Sequence, residues 1–460
     1  MEKILIKKLF IISICIILLN ISIINVSSIK INSTPLHQSQ IIDEYDMVIV
    51  VPSQFSSNIQ PLIDHKNNIG IKTFFKSTEE IYSNYQGNDK PEQIKYFIKD
   101  NVEKCKIRYV LLIGDINLVP IRKSTMINYP YIDDIITDLY YSDIYETNGN
   151  FSSWDSNNNG IYGEFEFGKK DASRDIIDLY PDVIVGRLPC SNSKEVSVVV
   201  DKIISYENRI SKDSWFKRLI LMAGDSFPGD VWIEGEIISD IVGNHMKIFG
   251  FEPIKLYASE DKFKPMILNQ EISKGAGFVC FSGHGYPQAI ATSKPNETKR
   301  ISYYSPYMIG IRNNNKLPIF FLQACSTATL DFTVQELSEL YSLPFAYILC
   351  ILSDVKYKTE NIYPCFAWEL IKKPNGGGIA SIGATRLAFG DPLVITPDQG
   401  IELLNLLFFK SYKENITLGQ QFTDSIISFI NYTNGSDPIT PQEFILIGDP
   451  SLKIGGYSLG

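Results

Sequence analysis

The chain has 460 residues, 44% hydrophobic and 21% charged, so it can bury a full core and falls outside the intrinsically disordered class. Its length suits two or three domains rather than one. The formal net charge of -9 argues against nucleic acid as the main partner, because phosphate binding leaves a basic footprint.

The N-terminus has the pattern of a targeting segment. Lysines precede an uncharged apolar run from Leu9 to Ser28, and small residues lie at its end. This pattern predicts a signal peptide over residues 1–28. The run approaches membrane-spanning length, so an uncleaved signal anchor is the alternative and the one way in which the chain would meet a membrane. In either case we predict a secreted or cell-surface protein, with a polar linker over residues 29–44.

From Tyr45 onwards apolar runs alternate with helical patterns, which indicates an α/β fold with mostly parallel sheets. An N-terminal block, residues 45–212, contains the strand-like runs DMVIVVPS, IRYVLLIGD and PDVIVGRLP. A C-terminal block, residues 213–460, contains FKRLILMAGD, GFVCFSGHG, LPIFFLQACS, GGGIASIGATR and EFILIGDPSLKI. The sequence therefore predicts two side-by-side α/β blocks that form two subdomains.

Two segments interrupt this alternation. Residues 121–180 are rich in Tyr, Asn and Asp and have little periodicity, as expected of a functional or metal-braced region. The run LPFAYILCIL at 343–352 is too short to cross a membrane and is predicted to be core. The six cysteines that follow Cys15 could form three disulfides, but most lie in apolar runs at irregular spacing, which favours buried free thiols.

The stretch DSNNNGIYGEFE, residues 155–166, fits the calcium-loop pattern D-x-[DN]-x-[DN]-G-x5-E at every position. Its flanks do not look helical, so the loop lies outside an EF-hand, and an Asn-rich surface turn is the alternative. We predict one structural calcium ion and no catalytic cofactor. The pattern assigns five ligands: side-chain oxygens of Asp155, Asn157 and Asn159, the carbonyl of Ile161 and the carboxylate of Glu166.

Two predicted strands of the C-terminal block end on reactive side chains. His284, one of four histidines, ends FVCFSGHG, and Cys325 ends PIFFLQACS. Because the carboxyl ends of neighbouring parallel strands meet at one edge of a sheet, imidazole and thiol would lie together there. A histidine can activate a thiol near neutral pH, and the amides of Gly285 and Cys325 could stabilise an oxyanion. When each residue is considered alone, the alternatives are that His284 is a structural histidine and that Cys325 is a core cysteine.

The motifs SGHG and QAC, in this order, resemble the caspase–legumain–gingipain clan of cysteine peptidases. After QAC, Ser326 departs from the caspase pattern. Within that clan the sequence is more similar to the gingipain-like family C25. Other stretches that carry the resemblance are YVLLIGD, PDVIVGRLP, PCFAWEL, GGGIASIGAT and GDPSL. Together they cover roughly residues 45–455.

The resemblance implies a caspase/gingipain-like fold and an exported cysteine endopeptidase that hydrolyses proteins or peptides. His284 and Cys325 would form its dyad and act through a thioester. The family also has an acidic residue on the strand end before the histidine strand, for which Asp225 is the candidate. Asp225 is shorter than the family's Glu, and a helix cap or a loop hydrogen bond is the alternative for it.

Gingipains cut after Arg or Lys, so a preference for basic residues is a hypothesis for this chain. Acidic residues follow Asp225 at Asp230, Glu234 and Glu236, but the two glutamates can equally begin a helix. The sequence assigns no substrate-binding residue. A transpeptidase of the same family and an inactive surface-binding module are the alternative functions.

Overall fold

The computed structural model describes residues 44–128, 134–166, 174–208, 214–229, 231–390 and 397–457. The predicted signal segment and nearly all of the linker lie outside these ranges. Within them, no helix has the length and apolar character needed to cross a membrane.

Half of the described strands are short runs in which every residue is buried, and most of these runs are rich in Val, Ile, Leu and Phe, which pack well on a pleated surface covered on both faces. In chain order the described strands are β1 Met47–Val51, β2 Thr73–Ser77, β3 Tyr109–Ile113, β4 Arg122–Ile127, β5 Asp134–Thr137, β6 Phe165–Glu166, β7 Ile184–Leu188, β8 Arg218–Ala223, β9 Glu252–Tyr257, β10 Phe278–Ser282, β11 His284–Tyr286, β12 Ala289–Ser293, β13 Arg300–Tyr304, β14 Ile319–Gln323, β15 Ala380–Ala384 and β16 Phe444–Ile447.

Amphipathic helices connect these strands. The described helices are α1 Ser56–Asn68, α2 Thr78–Asn84, α3 Lys90–Cys105, α4 Leu139–Ser142, α5 Ser193–Glu207, α6 Glu234–Met246, α7 Pro265–Ser273, α8 Val334–Leu340, α9 Leu343–Leu352, α10 Phe366–Lys372, α11 Gly400–Lys410, α12 Leu418–Thr433 and α13 Ile439–Glu443. Side-chain caps begin several of them; for example, Asp89 accepts a hydrogen bond from the amide of Glu92 at the start of α3.

Ten of the described strands form one sheet in the order β2-β1-β3-β7-β16-β15-β14-β10-β8-β9. Neighbours pair in parallel except β15 and β16, which are antiparallel. The sheet is therefore two parallel halves of opposite direction joined at that pair. The predicted α/β fold with two side-by-side, mostly parallel blocks is confirmed.

The C-terminal strand does not stay with the block that precedes it in the chain. β16 pairs in parallel with β7 of the N-terminal block, where Ile447 lies opposite Arg187. All described residues accordingly belong to one compact unit. A subdomain boundary near residue 212 stays a prediction.

Three details differ from the sequence expectations or refine them. The segment 121–180 contains regular structure, because β4 pairs with both β5 and β6. The prediction that 343–352 is core is wrong, since only Ala346, Leu349 and Cys350 of α9 are buried. The six cysteines after Cys15 are free thiols, and Cys105 and Cys325 are the two that are not fully buried.

Candidate active site

Three neighbouring strands deliver the predicted catalytic residues to one edge of the sheet. β10 pairs in parallel with β8 on one side and with β14 on the other, and Ser282 lies level with both Ala223 and Gln323. Asp225, His284 and Cys325 each follow one of these last strand residues by two positions. The common register therefore places all three at the carboxyl edge, where open α/β sheets form their sites.

Gly285 lies directly against the backbone of Cys325. A Cβ atom at this position would be 2.1 Å from the Cys325 carbonyl oxygen and 2.8 Å from the Cβ of Ala324. Only a glycine allows the two segments to approach this closely. This contact joins the histidine loop to the cysteine turn and explains why a glycine follows His284.

The ring of His284 is oriented by a main-chain carbonyl. Its Nε2 donates to the carbonyl oxygen of Ser226 at 2.7 Å, and Phe227 contacts the ring edge-on with centroids 5.6 Å apart. A carbonyl can only accept, so Nε2 carries the proton and Nδ1 presents the lone pair in the neutral ring. Burial lowers the pKa of His284 and the charge of Arg300 acts in the same direction, while the Ser226 bond opposes them.

The thiol of Cys325 is held as a neutral group. Its Sγ donates to the carbonyl oxygen of Ala388 over 3.4 Å. Burial raises the pKa of this thiol and the charge of the Glu402 carboxylate adds to the rise, while the Ala388 hydrogen bond opposes it. With the pKa of the cysteine raised and that of His284 lowered, the pair at neutral pH is a thiol and an uncharged imidazole.

The turn after Cys325 exposes its amide. Ser326 has a positive φ of 53°, which turns the chain sharply away from β14. The amide of Ser326 donates to the Arg386 carbonyl at 2.7 Å, and Arg386 is itself held by two hydrogen bonds to Asp331. Among the described residues, no other main-chain group accepts a hydrogen bond from the N–H of Cys325, so it is available to a bound group.

Asp225 is buried beside this site, but its recorded contacts shape the loop. Its Oδ1 accepts from the amide of Phe227 at 3.1 Å, and its backbone forms an antiparallel bridge with Ser293. The loop hydrogen bond considered from the sequence is therefore present. Asp225 stays a predicted orienting residue, and the bond to the His284 ring comes from the next residue along the chain.

The two glutamates near Asp225 begin α6, as the helix alternative predicted. Glu234 accepts from the amide of Ser226 at 3.3 Å, and Glu236 accepts from the amide and hydroxyl of Ser259 at 3.0 and 2.6 Å. Asp230 lies outside the described residues. Glu234 thus supports the residue that orients His284, while Glu236 ties α6 to the segment after β9.

The predicted calcium loop folds around Asp155 and a glutamate other than the expected one. Asp155 accepts from the amides of Asn159 and Gly160. The side chains of Asn157 and Asn159 both donate to Oε2 of Glu164, at 2.9 and 2.8 Å. These carboxylate and amide groups are the oxygen donors that calcium prefers.

The other two predicted ligands lie differently. Glu166 accepts from Asn128 and Arg174, and the side chain of Ile161 is exposed. Within the described part of the chain, no group of three or more His, Cys, Asp or Glu side chains is arranged to hold a metal ion. The calcium ion and its five ligands stay a prediction.

Sequence reasoning missed three groups at these sites. The carbonyls of Ser226 and Ala388 are main-chain atoms, which every residue has, so the sequence carries no signal for them. Glu164 does carry a sequence signal, because it is a carboxylate inside the calcium loop. It was missed because the pattern accepts any residue at that position.

The sequence was compared with known proteins. The family model "Peptidase family C25" matches residues 42–455. Gingipain R2 of Porphyromonas gingivalis is 23% identical over 416 residues, which cover 89% of this chain and 46% of that protein. Gingipain R1 of the same organism is 22% identical over 429 residues, covering 92% of this chain and 35% of that one. The chain thus spans less than half the length of either relative.

Solved structures give the same fold. The structure described as the Arg specific cysteine proteinase gingipain R superposes with a TM-score of 0.61 at 21% identity, covering 89% of this chain and 78% of that one. A complex of the pro- and mature domains of RgpB from Porphyromonas gingivalis gives a TM-score of 0.60 at the same identity. At this identity the likeness establishes a gingipain-like fold.

Proposed function

The chain belongs to peptidase family C25, and from this premise we propose that it is an active cysteine endopeptidase with His284 as base and Cys325 as nucleophile. The observation that carries the proposal is the contact of Gly285 with the Cys325 backbone at the common edge of β10 and β14. Proteins or peptides are the substrates that such a family implies.

The chemistry follows from the neutral state of the two side chains. Nδ1 of His284 takes the thiol proton as Sγ of Cys325 bonds to the peptide carbonyl carbon. The tetrahedral intermediate then breaks its C–N bond, and the imidazolium gives its proton to the leaving amine. Water then attacks the thioester and loses a proton to His284. The carboxylic acid product leaves, and His284 returns the proton to the sulfur, which restores the thiol of Cys325.

The proposal assigns stabilisation of the oxyanion to two main-chain amides, those of Cys325 and Gly285. The N–H of Cys325 is supported in this role by its lack of another main-chain acceptor among the described residues. Gly285 lies opposite Ile290 in the hairpin of β11 and β12, which has two residues between its closing pair Tyr286 and Ala289. In a hairpin with a two-residue turn the closing pair is hydrogen-bonded and the next pair is not, so the Gly285 amide points away from β12.

The test is cleavage profiling on a peptide library. We expect thiol-dependent cleavage by the wild type and a loss of at least about 10³-fold in the Cys325→Ser and His284→Ala variants, on the scale seen when a catalytic dyad is broken. Cys280→Ser is the matched control, because Cys280 is a fully buried thiol in the middle of β10, two residues before the strand ends. Activity that survives in Cys325→Ser would contradict the proposal.

The same experiment separates the alternatives. A transpeptidase would join the acyl fragment to an added amine, which mass spectrometry detects as a new peptide product. An inactive binding module would leave Cys325 unlabelled by a peptide electrophile. The similar solved structure named as an Arg specific proteinase and the acidic charge of this chain support a preference for basic residues, and the library measures that preference directly.

We also propose that the protein is exported and that calcium braces the loop at 155–166. The lysines and apolar run of residues 1–28 support export, and N-terminal sequencing of the secreted protein checks it. For calcium, Asp155, Asn157 and Asn159 with Glu164 or Glu166 would hold the ion. We expect calcium to raise the melting temperature of the wild type and not that of Asp155→Ala; an equal rise in both would contradict this site.

A further inference from the structure

Helix α9, Leu343–Leu352, has an apolar surface that no described part of the chain covers. The buried residues Ala346, Leu349 and Cys350 pack in a small cluster with Phe332 and Tyr363, separate from the main core. The opposite side is exposed. We define the α9 face by its six exposed side chains: Leu343, Phe345, Tyr347, Ile348, Ile351 and Leu352.

The α9 face is one continuous surface. Successive residues of an α-helix are about 100° apart, so these six side chains occupy an unbroken arc of roughly 200°. The three buried residues fill the remaining arc. A helix that is apolar all round is normally buried on all sides, which indicates that this one has a partner outside the described residues.

The size of the face fits a protein interface. Exposed fractions run from 43% for Phe345 to 73% for Leu352. If the full surface of a large apolar side chain is about 200 Å², the exposed fractions of the six side chains together amount to roughly 650 Å². That exceeds the largest apolar patch expected on a typical monomer, about 300–600 Å². Two such faces together would bury roughly 1,300 Å², within the range of about 1,200–2,000 Å² for stable complexes.

The charges at the ends of the helix favour a second copy of this chain. No charged residue occurs from Leu340 to Ser353. In the chain, the exposed Glu336 and Glu339 of α8 precede the face, and the exposed Asp354, Lys356 and Lys358 follow it. In an antiparallel pair of α9 helices, the segment with Glu336 and Glu339 of one copy would approach the segment with Lys356 and Lys358 of the other, so opposite charges could meet at the rim of the face.

A lipid surface is a poorer match. Residues 336–360 carry four acidic side chains and two lysines, whereas helices that lie on membranes are rich in Lys and Arg at their polar side. We therefore propose that the chain forms a symmetric homodimer through the α9 face, with the two helices antiparallel. This proposal does not depend on the peptidase activity.

The first test is sedimentation of the full chain at micromolar concentrations. We expect twice the protomer mass for the wild type, and at least a 100-fold weaker association for Ile351→Glu. Ile248→Glu is the matched control, because Ile248 is 76% exposed and lies outside the α9 face. Unchanged melting temperatures of the monomeric protein show that the variants fold.

The second test locates the two-fold axis. Ile348 lies at the middle of the face, so it should meet its own copy across the axis. Ile348→Cys should therefore form a covalent dimer under mild oxidation, while Ile248→Cys should not. A wild type that stays monomeric at all concentrations, or a dimer that Ile351→Glu leaves intact, would overturn the proposal. So would a monomer that floats with phosphatidylcholine vesicles through the same face.

Discussion

Cys325 lies where its anion is disfavoured before substrate binds. The thiol is largely buried, donates to the Ala388 carbonyl and is near the Glu402 carboxylate, and burial raises its pKa. The lowered pKa of His284 keeps the imidazole uncharged as well. For the proposed peptidase, this arrangement favours general-base activation at the moment of attack over a resting ion pair.

The pH dependence of alkylation distinguishes the two states. Because burial raises the pKa of Cys325 above its usual value of 9.0, the rate of Cys325 alkylation by iodoacetamide should still rise beyond pH 9. Peptide cleavage should instead persist to a pH below the ordinary histidine value of 6.5 before it falls, because the pKa of His284 is lowered by burial. Mass spectrometry of the labelled peptide follows the first reaction. A plateau of alkylation near pH 6 would indicate a resting thiolate–imidazolium pair.

Gly285→Ala tests the close approach of the two strand ends. The added Cβ would lie 2.1 Å from the Cys325 carbonyl oxygen, so the two segments must separate and an oxyanion donor is displaced. Loss of one such donor costs about 10²–10³-fold in kcat. We expect a decrease of this size with KM little changed, measured on the best peptide from the library. A variant within threefold of the wild type would exclude Gly285 from the oxyanion site.

At the scale of elements, α13 holds a carboxyl that the fold keeps protonated. Glu443 is fully buried, and neither carboxyl oxygen has a hydrogen-bond partner among the described residues. Burial raises its pKa well above the usual value, and Asp437 adds to the rise. The native state therefore holds a proton that the unfolded chain releases above about pH 4.5, so stability falls as the pH rises beyond that value.

Glu443→Gln should remove this pH-dependent loss. Each pH unit between the unfolded and folded pKa values costs about 1.4 kcal/mol. We expect the variant to melt several degrees above the wild type at pH 8 and at nearly the same temperature at pH 4. The exposed Glu252→Gln serves as control. A wild type and variant that differ equally at both pH values would contradict a protonated Glu443.

How far the sequence predicts an element depends on whether its signal is local. The strand ends at His284 and Cys325 could be predicted, because apolar runs mark buried strands and parallel neighbours align their carboxyl ends. The α9 helix could not be placed correctly, because apolar composition does not show which side of a helix has a partner. The insertion of β16 between β7 and β15 is a long-range pairing and leaves no periodic signal.

At the scale of the whole molecule, a buried ion cluster connects distant parts of the chain. The ammonium of Lys66 in α1 lies 2.7 Å from Glu207 at the end of α5 and 2.7 Å from Asp449, which follows β16. His65 also contacts Glu207, at 3.0 Å. Burial would lower the pKa of Lys66, but the two carboxylates outweigh it and raise that pKa, while Lys66 helps to lower the pKa of Glu207.

Lys66→Met should destabilise the whole unit, because it leaves Glu207 and Asp449 buried without their cation. Removing one partner of a buried ion pair typically costs about 3–5 kcal/mol. We expect a clear drop in the urea midpoint followed by circular dichroism. Lys66→Met combined with Glu207→Gln should recover part of the loss, since one uncompensated charge is then removed. The lowered pKa of Glu207 also makes stability depend on pH. The stabilisation by Glu207 is present above the pKa that this carboxyl has in the unfolded chain, and it is lost as the pH falls towards the lower pKa of the folded state. Lys66→Met should weaken this pH dependence. An unchanged urea midpoint in Lys66→Met would show that the cluster does not hold the first helix to the C-terminal strand.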